Sequence, residues 1–197
     1  MKTKKKSNLR WGFKTEANEY AREFRKELGL NLYDPLCPWT LAKHLAIPVI
    51  SLSQIKADIG EKHYNYVTRQ ETSIFSGVTI FHGSRRLIIF NDAHLPYRQA
   101  SNVAHELSHG ILGHQPSEVF DQIGCRHFDP VMEEEANWLA PALLISEEAA
   151  LHIVRERMDE EQASQFYRVS KEVIRMRLNV TGARNRVKKQ RSWKKSI

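Results

Sequence analysis

An α+β fold is predicted for this 197-residue chain by three features. Helical apolar periodicity occupies both ends, two β-branched runs lie near the middle, and turn or cap residues punctuate them. Helices come first, a few strands follow, and helices close the chain, so a small sheet packs beside a helical body.

The elements follow in order. Residues 14–28 place Ala17, Tyr20, Ala21, Phe24 and Leu28 on one helical face, with Gly29 as the stop. PWTLAKHLAI (38–47) opens with Pro at a helix start and ends before Pro48. VISL (49–52) suits a short strand, and GVTIF (77–81) and RLIIF (86–90), separated by HGSR, suit a hairpin. Asn91 and Asp92 are candidate caps for a helix from about Tyr97 to Leu112, ended by Gly113. Asp129-Pro130 reads as a cap followed by Pro at the first helical position. The helix behind it carries Met132, Ala136, Leu139, Ala140, Leu143 and Leu144 on its apolar side, and Pro141 predicts a kink. From Glu147 to about Asn179 the chain is helical, with a break near Arg168–Ser170. Within that run QFYRVSKEVIRMRLNV (165–180) has helix-turn-helix character, with Arg175 and Arg177 candidates to meet phosphate. Ser164 and Arg168 stand where an Ala and a turn glycine are usual, so a plain helical hairpin against the body is the preferred reading.

Charge divides the chain into three. Residues 1–10 hold five basic side chains and 182–197 hold seven, with no acid in either, leaving 18 basic against 23 acidic residues between them. The expected organisation is a flexible basic arm (1–13), a domain (14–181, the helix-turn-helix-like part at about 160–180) and a solvated basic tail (182–197). The tails offer a nucleic-acid contact as a second partner class. No apolar run approaches the roughly 18 residues of a membrane span. MKTKKKSNLR has no apolar segment behind it and does not read as a secretory signal. Cys37 and Cys125 imply no disulfide framework, so a reduced, cytoplasmic setting is expected.

HELSH (105–109) carries the chemistry. On a helix His105 and His109 lie one above the other, roughly 5–6 Å apart at Cβ. Two imidazoles so placed can share one Zn2+, each nitrogen roughly 2.0–2.1 Å from the ion. Glu106, about 100° round the helix, can reach a water beside the metal without ligating it and act as general base. For this composition chance gives about 0.03 occurrences of the pattern. A third ligand is required. His114 fails the metzincin register, because Leu112 and Gln115 stand where Gly and His belong, so it reads as a surface histidine at a helix end. In EEEANWLAPALL (133–144) Glu133 suits the third ligand, and Asn137, one turn on, could orient a ligand histidine. Glu134 and Glu135 read as acids decorating a helix N-terminus. Tyr64, Tyr66, Tyr97, His127 and Tyr167 are all candidates to stabilise an oxyanion. The strand before the HELSH helix is a candidate to pair with an extended peptide.

These pieces resemble the ImmA/IrrE metallo-endopeptidases. LAKHLAIPVI, RLIIFNDA, VAHELSHGILGH, the E-x-x-A-N of Glu133 to Asn137 and the LLIS behind it occur in the family's order, over roughly residues 14–180. The resemblance implies a gluzincin-like fold with a small mixed sheet. It implies zinc on His105, His109 and Glu133, with Glu106 as catalytic base. It also implies a protein substrate, a helix-turn-helix transcriptional repressor. SNVA (101–104), Pro141 and Ile145-Ser146 depart from the family pattern and bear on helix geometry more than on chemistry. The alternative is a non-catalytic DNA- or partner-binding regulator acting through the basic tails and the C-terminal helices.

Overall fold

In the computed structural model of the chain, which describes residues 8–68, 75–83, 85–114 and 129–193, the first apolar stripe forms α1 (Phe13–Glu27). Its Phe13, Ala17, Ala21 and Phe24 are buried. Helix α2 (Pro38–His44) starts on Pro38, whose missing N–H costs nothing at a first helical position. Strand β1 (Val49–Ser51) follows, then a 3-10 turn (Leu52–Ile55) and two short helices absent from the sequence expectation, α3 (Lys56–Ile59) and α4 (Glu61–Thr68). The hairpin forms as β2 (Gly77–His82) and β3 (Arg85–Phe90). β1 joins β3 in parallel and β2 joins it antiparallel, giving a mixed sheet of order β1-β3-β2. The strand immediately before the next helix is therefore central and paired on both sides. It cannot take an added peptide; the edge next to it is β2.

Two long helices complete the frame, α5 (Pro96–Ile111) and α6 (Pro130–Leu144). Asp129 caps α6, its carboxylate accepting from the N–H groups of Val131 and Met132 at 2.8 and 3.3 Å. Asn91 and Asp92 do not cap α5, which begins after Leu95 without a side-chain cap. Asn91 is buried instead. It donates to the Phe75 carbonyl at 2.9 Å and accepts from the Ala93 N–H, closing the loop on itself. Pro141 lies inside the last turn of α6.

The remaining helices are α7 (Glu147–Arg155), α8 (Glu160–Tyr167), α9 (Lys171–Val180) and α10 (Ala183–Trp193). The turn between α8 and α9 falls where it is expected, with Arg168 left-handed and Ser170 capping α9. A second break, between α7 and α8, comes from a capping box of Asp159 and Gln162. Residues 183–193 form a helix rather than a solvated tail. Ala183 and Val187, one turn apart, are buried among the C-terminal helices, and the charge-rich composition hides that two-residue stripe. Among the described residues no helix is long and apolar enough to cross a membrane.

Helix α6 separates two apolar clusters. Leu139, Ala142 and Leu143 face Phe13, Leu41, Ile88, Val103 and Leu107, whereas Ala140 and Leu144 face the C-terminal helices. Its C-terminal carbonyls thus lie in the interior, and two buried arginines bond them. Arg25 of α1 donates to the Leu143 and Leu144 carbonyls at 2.9 and 3.2 Å, and also to those of Ala21 and Asp34. Arg177 of α9 donates to the Ile145 carbonyl at 2.8 Å and to Asn18 Oδ1 at 3.0 Å. Arg177 is therefore not available to phosphate, and Arg175 is paired with Glu160 at 2.7 Å. Replacing Arg25 by Met strands several buried acceptors, so we expect a loss of about 3 kcal/mol in urea unfolding. A loss under about 1 kcal/mol would show that the guanidinium is not what secures this helix end.

Candidate metal centre

Helix α5 buries Ala100, Val103, Ala104, Leu107 and Ser108 along one side. His105, Glu106 and His109 fall at the border of that side and are half-buried. Across from them stands Glu133, in the first turn of α6. The His105 and His109 Nε2 atoms are 3.1 Å apart. Glu133 Oε2 lies 3.5 Å from His105 Nε2, and its Oε1 lies 3.3 Å from His109 Nε2. A tetrahedral ion with bonds of roughly 2.0–2.1 Å spaces its ligands about 3.3–3.4 Å apart. Three donors converging at these separations, two imidazoles and one carboxylate, fit a zinc ion without rearrangement. The three form one group able to hold a metal. Beside it, Glu106 Oε2 accepts from the Thr79 hydroxyl at 2.7 Å, which ties the carboxylate to edge strand β2. Gly77 on the same strand leaves room for it, since a Cβ there would meet Glu106 Cγ at 3.3 Å.

Comparison with known families bears on this geometry directly. Residues 42–179, well over half of the chain, match the family model of Peptidase M78, the IrrE N-terminal-like domain. The chain belongs to this family. M78 membership supports a metallopeptidase-type function and hence a protein substrate. No curated protein and no solved structure matches the chain.

In this M78 domain Asn137 makes no hydrogen bond to His105 or His109. Asn137 lies about 40° round α6 and roughly 6 Å further along than Glu133, and is exposed. The side chain that meets His109 Nδ1 is His114. Far from being a surface group, it is 7% exposed, and its Nδ1 lies 2.9 Å from His109 Nδ1. Its Nε2 faces Glu135 Oε2 at 3.3 Å. Glu135, also 7% exposed, accepts from Arg10 Nε at 3.1 Å. Neither His114 nor Glu135 is the solvated helix decoration that its position suggests.

A readable signal lies in the helix end. Gly113 adopts φ +66°, the His114 N–H bonds the His109 carbonyl at 3.0 Å, and the Gly113 N–H bonds that of Gly110 at 3.2 Å. This Schellman turn sets the residue after its glycine against the residue five before it, and here both are histidines. Of the oxyanion candidates, Tyr167 is a core residue, 3% exposed and bonded to the Tyr33 carbonyl. His127 lies outside the described residues, and Tyr64, Tyr66 and Tyr97 stay as candidates.

The three donors also shape each other's protonation. Burial pulls His105 down, but the Glu133 hydrogen bond and the fields of Glu106 and Glu133 outweigh it, so His105 titrates above its ordinary 6.5. Hydrogen bonds from His105 and His109 hold the Glu133 carboxyl well below its ordinary 4.5, against its burial. Burial, the largest influence on His114, holds that ring below 6.5. Stability from a raised imidazole is complete below 6.5 and fades as pH rises through its folded value. Stability from a depressed carboxyl is present above 4.5 and fades as pH falls through its folded value. In metal-free protein, Glu133→Gln should therefore lower Tm most between pH 4.5 and 6.5, and the difference should close in more alkaline buffer. A Tm difference that does not vary with pH would rule out this ion pair.

Proposed function

We propose that the chain is a zinc-dependent endopeptidase whose His105, His109 and Glu133 hold the ion and whose Glu106 moves the proton. The observation that carries the reading is the convergence of two Nε2 atoms and one carboxylate at 3.1, 3.3 and 3.5 Å. A zinc ion held by His105, His109 and Glu133 would supply Lewis acidity that makes a nearby water acidic near neutral pH. Glu106 keeps Oε2 on the Thr79 hydroxyl, which leaves Oε1 to take a proton from the attacking water and return it to the leaving amine. Edge strand β2, which carries Thr79, is where an extended substrate would add by backbone pairing. By the family resemblance we assign a helix-turn-helix transcriptional repressor as substrate, and from the two cysteines with no disulfide framework we assign a reduced, cytoplasmic setting.

Purified under reducing, chelator-free conditions, the protein should hold about one zinc per chain. Glu106→Gln should keep the metal and cut nothing. Thr79→Val should keep the metal and lower the cleavage rate about tenfold by freeing Glu106. A wild type without zinc, or an active Glu106→Gln, would end the proposal.

A second reading, in which the basic C-terminal segment holds the enzyme near a DNA-bound substrate, draws on the outward Arg184, Lys188 and Lys189 of α10. Deleting residues 182–197 would strip Ala183 and Val187 from the core, so neutralising those three side chains is the cleaner test. It should lower the salt slope of DNA binding by about three. An unchanged slope would remove this reading.

A further inference from the structure

We propose that Glu135, held by Arg10, determines through His114 which ring nitrogen of His109 is free to bind the metal. The inference rests on the reading that His105, His109 and Glu133 hold zinc. It adds three positioning residues and one previously unassigned segment, the N-terminal arm, to that site.

The reasoning runs from the carboxylate inward. An ionised carboxylate only accepts hydrogen bonds. Glu135 Oε1 receives the Arg10 Nε–H at 3.1 Å, and Oε2 faces His114 Nε2 at 3.3 Å, so that nitrogen carries a proton. A neutral imidazole protonated on Nε2 has its lone pair on Nδ1. That lone pair faces His109 Nδ1 at 2.9 Å, so His109 must donate there. The remaining lone pair of His109 then sits on Nε2, the atom 3.1 Å from His105 Nε2 and 3.3 Å from Glu133 Oε1. The opposite proton order fails at both ends. It sets the His114 Nε2 lone pair against a carboxylate oxygen in a buried place, and it puts a proton on the nitrogen that should ligate.

Arg10 lies before residue 42, where the family match begins. The described part of the arm that carries it, residues 8–12, is fixed on α6. The Asn8 N–H bonds Glu134 Oε2 at 2.8 Å, Arg10 also pairs with Glu16 at 2.7 Å, and Phe13 is buried. Residues 8–10 thus help set the chemistry of an imidazole on α5.

Zinc affinity of the full chain, measured by competition with a chelator, tests this. His114→Ala should weaken zinc binding about 10- to 100-fold and Glu135→Gln about tenfold. Arg10→Ala, at the half-exposed end, should weaken it about threefold. His114→Asn, which restores an acceptor near the Nδ1 position, should recover most of the loss. Nitrogen-15 NMR of zinc-loaded wild type should show the His109 proton on Nδ1, and that protected signal should vanish in His114→Ala. Should His114→Ala fail to fold, Glu135→Gln and Arg10→Ala decide by the same measurements. Zinc-binding wild type with the variants within twofold of it, or with His109 protonated on Nε2, overturns the inference alone. Wild type that binds no zinc overturns the metal reading beneath it.

Discussion

Helix α6 ends inside the protein, and a buried carbonyl must be bonded. The Ile145 N–H makes the last helical bond, to the Pro141 carbonyl, and the carbonyls of Leu143, Leu144 and Ile145 take their partners from guanidiniums. One comes from α1, near the start of the chain, and the other from α9, near its end. Both elements are thereby referred to a single helix, and the two apolar clusters pack on its opposite sides. Helix α5 packs on the same helix, so the depth at which Glu133 meets His105 and His109 follows from where α6 is fastened. A guanidinium is well suited to this task, because it presents several donors in a fixed fork and needs no carboxylate to accept them.

The backbone dipoles act in the same sense at the site. Glu133 lies in the first turn of α6, where partial positive charge favours an acid. His109 lies in the last turn of α5, where partial negative charge favours a cation. The two helix ends thus meet with complementary fields around the point where the three donors converge. This arrangement would suit a divalent ion held there, since two neutral imidazoles bring no charge to offset it and Glu133 brings only one.

Local features were the legible ones. The stripes of α1, α5 and α6, the hairpin, the Asp129 cap and the turn before Ser170 are each specified by residues close together in sequence. His105 and His109 are legible for the same reason, because four residues on a helix is a fixed vector. Three kinds of feature were not legible. Strand order depends on a parallel pairing between Val49 and Ile88, far apart in the chain, and it decides that β2 rather than β3 is at the edge. Charged residues inside helices read as solvent-facing, yet Arg25, Arg177 and Glu135 are buried because long-range partners satisfy them. The spacing that singles out Glu133 also singles out Asn137, and only the rotation of α6 separates the donor from the exposed residue. His114 is intermediate: its place follows from a local glycine turn, but only once the last residue of α5 is known.

The arginine fastening has a consequence for how the protein meets acid. Burial lowers both guanidiniums, but only to about 10, and their acceptors are amide oxygens that do not titrate in the physiological range. The frame around α6 is therefore indifferent to mild acidification, whereas the charge on His105 beside it is not. A change of pH thus alters the charge on His105 while the scaffold stands, so that a return to the starting pH requires no refolding.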